Sequence, residues 1–268
     1  MHPDILIRPH IARHDLASRR RGLTGYCLGM AVYTLAVVAM YPAFKTSSSL
    51  DKLIASDSTA AALFGISGSI STSSGWLNGN IYANFFPLVM LLLTIGYGAA
   101  ALAGQDEDGT LGLLAVLPVR RGVIVANKAA AMAAQAAALA ATVAVLVITG
   151  RSFQLSTSAA DVVSVSAAVF LLGLDFGLIT MAAGALTGRR GTAVAAGTAL
   201  AAASYLVSSL APVASWLRPG RYASLFYWSV GNSQLSRGVS AADYAVLAVV
   251  GLCALTAAIL AFRRLDVH

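Results

Sequence analysis

Six stretches of the chain are apolar and long enough to cross a lipid bilayer as helices. A spanning helix needs about 20 apolar residues, because each residue adds about 1.5 Å and the hydrocarbon core is about 30 Å thick. The stretches cover residues 23–44, 81–104, 129–150, 162–186, 192–211 and 244–262. A backbone in lipid must satisfy its own hydrogen bonds, so these stretches predict an all-α polytopic membrane protein with six transmembrane helices.

The composition excludes a water-soluble domain. Hydrophobic residues make up 58% and charged residues 11% of the 268 positions, and the mean hydropathy is +0.76. Such a chain has too little polar surface to cover a globule of this size. The net charge of +7 does not indicate nucleic-acid binding, because no basic stripe with interleaved aromatic residues is present. Membrane proteins collect Lys and Arg on cytoplasmic loops instead.

The distribution of Lys and Arg predicts the orientation of the chain. With the N-terminus in the cytoplasm, twelve Lys and Arg residues lie inside and six lie outside. The inside residues are Arg8, Arg13, Arg19, Arg20, Arg21, Arg120, Arg121, Lys128, Arg189, Arg190, Arg263 and Arg264. We therefore predict a multi-pass protein of the plasma membrane with both termini in the cytoplasm.

Two further segments have the character of interfacial helices. Residues 1–22 mix apolar side chains with arginines, which predicts an amphipathic helix on the inner membrane surface ahead of a six-span domain over residues 23–268. Residues 216–243 contain an aromatic patch too short to span, which predicts an interfacial or re-entrant helix at the outer face before the last span.

The polar stretch over residues 105–121 has the signals of a short helix. Three adjacent acids, Asp106 to Asp108, suit a helix N-terminus, and Pro118 ends the run. Three leucines recur at helical spacing between them: Leu111, Leu114 and Leu117. A helix this small cannot bury an apolar side by itself. It must dock on the membrane surface or on a partner protein.

These residues also carry a resemblance to a known family. Glu107-Asp108-Gly109-Thr110-Leu111, followed by Pro118-Val119-Arg120-Arg121 and Lys128, resembles the cytoplasmic loop of permease subunits of type-2 ABC transporters. The tail Phe262-Arg263-Arg264-Leu265-Asp266 is similar to the family's tail, with Leu and Asp exchanged. The family also has an elbow-like helix before the first span and a re-entrant element before the last.

The resemblance implies a function and its partners. The chain would be the permease of an ABC exporter, paired with a second permease and driven by a separate ABC ATPase that binds ATP and Mg. The polar stretch would be a coupling helix seated in a groove of that ATPase. Glu107 and Asp108 would start it, Gly109 and Thr110 would follow, the three leucines would dock, Pro118 would stop it, and Arg121 would anchor it to the partner or the head groups.

Asp175 is the one ionisable residue deep inside a predicted span. A carboxylate at that depth costs several kcal/mol unless it meets a polar cavity, a partner or a proton. It either lines a path for cationic or polar cargo or couples to protons, or it is a neutral or hydrogen-bonded acid that pins helices together. The sequence leaves these alternatives open.

Other classes of function find little in the sequence. The chain has no Gly-x-x-x-x-Gly-Lys-Ser/Thr loop for ATP, no spacing of metal ligands and no histidine inside a predicted span, so we expect no enzymatic activity, metal or cofactor in this chain itself. Two alternatives to transport remain: a membrane scaffold or immunity-type protein, and an enzyme acting on lipid head groups.

Overall fold

Six long helices are found in the computed structural model, which describes residues 9–45, 72–107, 109, 121–231 and 234–264. The part of the chain so described contains no β-strand. The helices are α1 Pro9–Phe44, α2 Ser73–Gly104, α3 Arg121–Thr149, α4 Ala159–Thr187, α5 Arg190–Leu210 and α6 Ala241–Arg264. All six are long and apolar enough to cross a membrane, so the predicted all-α six-span fold is confirmed.

Helix α2 begins well before the apolar stretch that predicted it. In α2, the α-helical turn Ser73–Leu77 and the π-helical turn Asn78–Tyr82 precede the main part, Phe85–Ala99, and a second π turn, Ala100–Gly104, ends it. The hydroxyl of Thr72 caps the start by accepting a bond from the Gly75 N–H at 3.1 Å. Hydropathy finds the apolar core of a span, whereas the cap decides where the helix begins.

The first helix is continuous across the boundary predicted at residue 22. Helical structure runs from Pro9 to Phe44 without interruption. A separate interfacial helix over residues 1–22 is therefore not confirmed, and residues 1–8 lie outside the described part of the chain.

The chain runs up and down between two chemically different ends. We call one the arginine-rich end. There α1 and α3 begin, α6 ends, and a short connection containing Arg189 joins α4 to α5, which begins at Arg190. The other is the tryptophan end, which holds Trp76, Trp216 and Trp228. The polar stretch between α2 and α3 starts and finishes at the arginine-rich end.

Helices α2 and α4 form the centre of the bundle. In their most apolar windows 67% and 61% of the residues are buried, against 28% for each of α1, α5 and α6. The two central helices approach closely because glycines face each other: a Cβ added to Gly98 would collide with the carbonyl oxygen of Gly177. One at Gly177 would lie 2.6 Å from the sulfur of Met132 on α3. Gly173 and Gly177, which are four residues apart on α4, both pack against side chains of the same subunit.

Short helical pieces connect α5 and α6 at the tryptophan end. They are Ser215–Leu217, Pro219–Ala223, Leu225–Ser229 and Gln234–Arg237. The ring of Phe226 packs inward, with its centroid 6.1 Å from that of Phe176 and 5.3 Å from that of Tyr205. This segment is therefore anchored in the bundle by an aromatic side chain, as an interfacial element would be.

Replacing Gly98 with Ala should destabilise the bundle, because its Cβ has no room against the α4 backbone and overpacking costs about 1–3 kcal/mol. Gly96→Ala is the matched control, since nothing lies within 4 Å of a Cβ there. We expect a melting temperature several degrees below wild type for Gly98→Ala and no decrease for Gly96→Ala in detergent. Equal melting temperatures would contradict the tight α2–α4 contact.

Candidate functional site

The predicted coupling segment lies between the end of α2 and the start of α3. Six of its predicted residues fall outside the described part of the chain: Asp108, Thr110, Leu111, Leu114, Leu117 and Pro118. Glu107, Gly109 and Arg121 are described. Glu107 lies in a helical turn, Gln105–Glu107, that directly follows α2. Gly109 has a φ of +67°, a conformation that glycine adopts without a steric penalty.

Glu107 contacts the beginning of α5. Its Oε1 accepts a hydrogen bond of 2.9 Å from the backbone N–H of Arg190, the first residue of that helix. Arg189 precedes the helix and supplies no side-chain cap, so the carboxylate of Glu107 replaces one. A carboxylate at a helix N-terminus also interacts favourably with the helix dipole. Exposed caps of this kind contribute about 1 kcal/mol.

Arg121 contacts the end of α6. Its Nη1 donates to the carbonyl oxygens of Phe262 at 3.2 Å and Arg263 at 3.5 Å. Its guanidinium carbon also lies 5.8 Å from the centroid of the Phe262 ring. The last carbonyl groups of a helix lack partners within the helix, and a cation there suits the negative end of the dipole. Arg121 therefore caps the C-terminal end of α6.

The two ends of the segment are thus tied to two different helices. Glu107 is bonded to a residue 83 positions away in sequence and Arg121 to one 141 positions away. A cation–π contact adds α1 to this end of the bundle, because the Arg19 guanidinium lies 4.7 Å from the centroid of the Tyr97 ring on α2. A displacement of residues 108–120 would act directly on the ends of α5 and α6.

Lys128 does not lie in the loop, and this part of the prediction is wrong. We expected the third span to begin after Lys128, at residue 129, but α3 begins at Arg121 and Lys128 is only 2% exposed within it. The apolar residues Val123, Ile124 and Val125 extend the helix toward the loop. The prediction left them out of the span because they precede the charged Lys128. Lys128 is thus a buried residue of α3.

Asp175 lies near the middle of α4 and is 1% exposed. Among the described residues its Oδ2 has no hydrogen-bond partner. The carboxyl group faces α6, where a Cβ added to Gly251 would lie 2.7 Å from Oδ1. Leaving a carboxylate ionised in such a place costs several kcal/mol, which favours the neutral acid.

Two apolar grooves run along the outside of α2. The larger has a volume of about 520 Å³ and lies between α2 and α5. Its wall includes Leu88, Leu92 and Ala202, and Tyr205 donates a hydrogen bond of 2.7 Å to Asn84 at one end. The smaller, of about 500 Å³, lies between α1 and α2. Asp175 does not line either groove.

Metal-binding residues do not gather in the described ranges. Searching them for three or more His, Cys, Asp or Glu side chains close enough to hold an ion finds no such group.

The six spanning helices, with a polar segment tied to the ends of two of them, define a multi-pass helical membrane protein. The model of the ABC-2 family transporter proteins matches residues 10–267, and the chain belongs to this family. It is accordingly a membrane permease component of an ABC transporter, a part that is not itself catalytic. Members of the family generally work with an ABC ATPase partner. No curated protein matches the chain significantly.

Sequence reasoning identified Glu107 and Arg121 but missed what they touch. Arg190 and Phe262 had been noted only as a charge and as part of the tail. The signal that could have found them is their position near helix ends on the same side of the bundle. Backbone N–H and C=O groups at helix ends lack partners within the helix and need other ones.

Replacing Glu107 with Ala should lower permease-stimulated ATP turnover several-fold, because α5 would lose its link to the segment. Asp161→Ala is the matched control, since Asp161 lies in the first turn of α4 at the tryptophan end. We expect both variants to lose a similar, small amount of thermal stability. ATP turnover should fall only for Glu107→Ala; equal turnover would argue that this bond is purely structural.

Proposed function

We propose that the chain is the permease subunit of an ATP-driven exporter, coupled to a separate ABC ATPase through residues 107–121. In this proposal residues 108–118 form a coupling helix, which docks through Leu111, Leu114 and Leu117 and stops at Pro118. The ATPase binds ATP and Mg, and its closure moves the coupling helix. The termini and this segment lie in the cytoplasm, and the spans lie in the plasma membrane.

The observation that carries the proposal is the attachment of both ends of this segment. Glu107 holds the first N–H group of α5, and Arg121 holds the last carbonyls of α6. Both contacts are polar and lie at helix termini, where a bond can lengthen or exchange with water at small cost. A push on the segment can therefore shift α5 and α6 without disrupting the apolar packing of α2 against α4.

A second permease subunit fits the face formed by α1, α2 and α5. The two apolar grooves lie on this face, and Phe85 lines both of them. On α1, Gly25 and Gly29 have nothing within 4 Å of an added Cβ, which leaves room for another backbone. Small residues in lipid permit such close approach. Pairing across this face would bring two α2–α5 grooves together and create a path between subunits.

The competing functions lack a site in the described residues. An enzyme acting on lipid head groups would need acids or histidines gathered near the membrane surface, and the described residues contain no group of three or more His, Cys, Asp or Glu side chains close enough to hold a metal ion. A scaffold or immunity-type protein would need no bond between the segment and the spanning helices, whereas Glu107 and Arg121 each make one.

Purification in mild detergent from the native host tests the proposal directly. We expect an ABC ATPase to accompany the protein in near-equal amounts, and the native mass of the complex to contain two permease subunits. Recovery of the permease alone, with no such ATPase detected by mass spectrometry, would favour the scaffold function.

Replacing Leu114 with Asp should uncouple the pair, because a charge on the docking side opposes burial in the ATPase groove. Leu113→Asp is the control, because it is the same substitution at a position outside the stripe of Leu111, Leu114 and Leu117. We expect a loss of about tenfold or more in stimulated ATP turnover for Leu114→Asp alone, with both variants folded. Full turnover in Leu114→Asp would refute the docking assignment.

For Asp175 we propose a role in packing helices together, rather than a role in lining a substrate path. The carboxyl group is enclosed against Gly251 and is separated from both grooves, which suits a neutral acid between α4 and α6. The close approach of α6 requires a glycine at that position, since a side chain there would meet the carboxyl oxygen.

Changing Asp175 to Asn tests this role, because Asn has the shape of the neutral acid and cannot take up a proton. We expect the melting temperature and the permease-dependent ATP turnover to stay close to wild type. Gly251→Ala should lower the melting temperature by crowding Oδ1. A loss of turnover in Asp175→Asn at an unchanged melting temperature would assign the residue to the substrate path instead.

A further inference from the structure

An arginine rests on an aromatic platform at the tryptophan end of the bundle. The platform consists of Tyr222, Tyr227 and Trp228, whose ring centroids lie 5.3–6.0 Å apart. The guanidinium carbon of Arg221 lies 4.8 Å from the centroid of the Tyr222 ring and 5.2 Å from that of Tyr227. The guanidinium is therefore held in place by two cation–π contacts.

Hydrogen bonds hold the platform and its arginine together. The indole N–H of Trp228 donates to the backbone carbonyl of Tyr222 at 2.8 Å. One Nη of Arg221 donates to the Tyr222 hydroxyl at 2.7 Å, and this bond is the main cause that lowers the pKa of the phenol and raises that of the guanidinium. Arg221 consequently keeps its charge and presents it in one orientation.

Arg221 has donors left over and no carboxylate partner in the described residues. Apart from the bond of one Nη to the Tyr222 hydroxyl, its Nη groups have no hydrogen-bond acceptor there. Residues 211–240 contain Arg218, Arg221 and Arg237 and no Asp or Glu at all. The next acid, Asp243, already accepts a bond of 2.8 Å from the Ser240 N–H at the start of α6. A guanidinium has five donors in a planar fork, which matches the oxygens of a phosphate group.

The position of the platform near the membrane surface favours the phosphate of a lipid head group over a free phosphate in water. It lies between the end of α5 at Leu210 and the start of α6 at Ala241, where two spans leave the membrane. Phe226 holds this segment against the bundle, so it does not project into water. Two aromatic side chains of this segment are exposed, Trp216 at 77% and Tyr222 at 51%. Trp and Tyr favour the head-group level of a bilayer.

We propose that Arg221 on this platform binds the phosphate of a phospholipid in the leaflet at the tryptophan end. The acyl chains then lie along the apolar flanks of α5 and α6, and the exposed rings of Trp216 and Tyr222 lie beside the glycerol. The site fixes the height of this segment in the membrane, and it operates whether or not an ATPase is bound. It therefore stands independently of the exporter function proposed above.

Thermal unfolding of the delipidated full chain in detergent tests the site. A ligand that binds the folded state raises the melting temperature according to its affinity. We expect dioleoylphosphatidylglycerol to raise it, and dioleoylglycerol, which has the same chains without the phosphate, to have a much smaller effect. An equal rise with dioleoylglycerol would overturn the proposal. A rise of the same size with inorganic phosphate would assign the site to a free anion and also overturn it.

Substitutions locate the binding in one residue. Arg221→Gln should weaken phosphatidylglycerol binding about tenfold, as expected for the loss of a charge-assisted hydrogen bond. Arg151→Gln removes the same charge from an exposed site at the same end, without an aromatic platform, and should keep the wild-type response. Arg221→Lys keeps the charge without the planar fork and should bind at an intermediate level. A wild-type response in Arg221→Gln would overturn the assignment.

Discussion

The close contact of α2 with α4 is the constraint on which the remaining structure depends. Lipid offers no hydrophobic force to drive two helices together, so their association relies on packing and on polar contacts. Gly98 and Gly177 let the two backbones touch, and the flanking Met90, Thr94 and Met132 side chains fill the space around them. Helices α3, α5 and α6 pack against α4, and α1 packs mainly against α3.

The two ends of the bundle use different chemistry around this rigid centre. At the tryptophan end, aromatic rings interlock, and Phe226 reaches down between Phe176 and Tyr205. At the arginine-rich end, Glu107 and Arg121 place charged groups on helix termini, and Arg19 makes a cation–π contact with Tyr97. Interlocked rings must move together, whereas a hydrogen bond at an exposed helix end can be exchanged for water. Motion that starts at the arginine-rich end therefore meets the smaller resistance there.

The sequence was sufficient to predict that six spans exist and insufficient to predict where the helices begin and what their ends contact. Hydropathy works for the spans because lipid demands long apolar helices, and all six were recovered. The start of α3 was misplaced because Lys128 was counted as a loop residue, although a long side chain can be buried one or two turns inside a helix. The bonds of Glu107 and Arg121 cross 83 and 141 positions of sequence, and no local pattern encodes such distances. Their partners include backbone groups, which leave no trace in residue identity.

The contacts of Glu107 and Arg121 give the α2–α3 connection two properties that suit the proposed coupling segment. The α2–α3 connection starts from the rigid centre, because α2 is one of the two most buried helices. Its ends nevertheless bond to α5 and α6, whose most apolar windows are only 28% buried. A segment attached in this way connects the centre of the bundle with two less buried helices. In the proposed function, an ATPase pressing on this segment pulls on the ends of α5 and α6. Because the larger groove lies between α2 and α5, a shift of α5 relative to α2 would change the width of that groove.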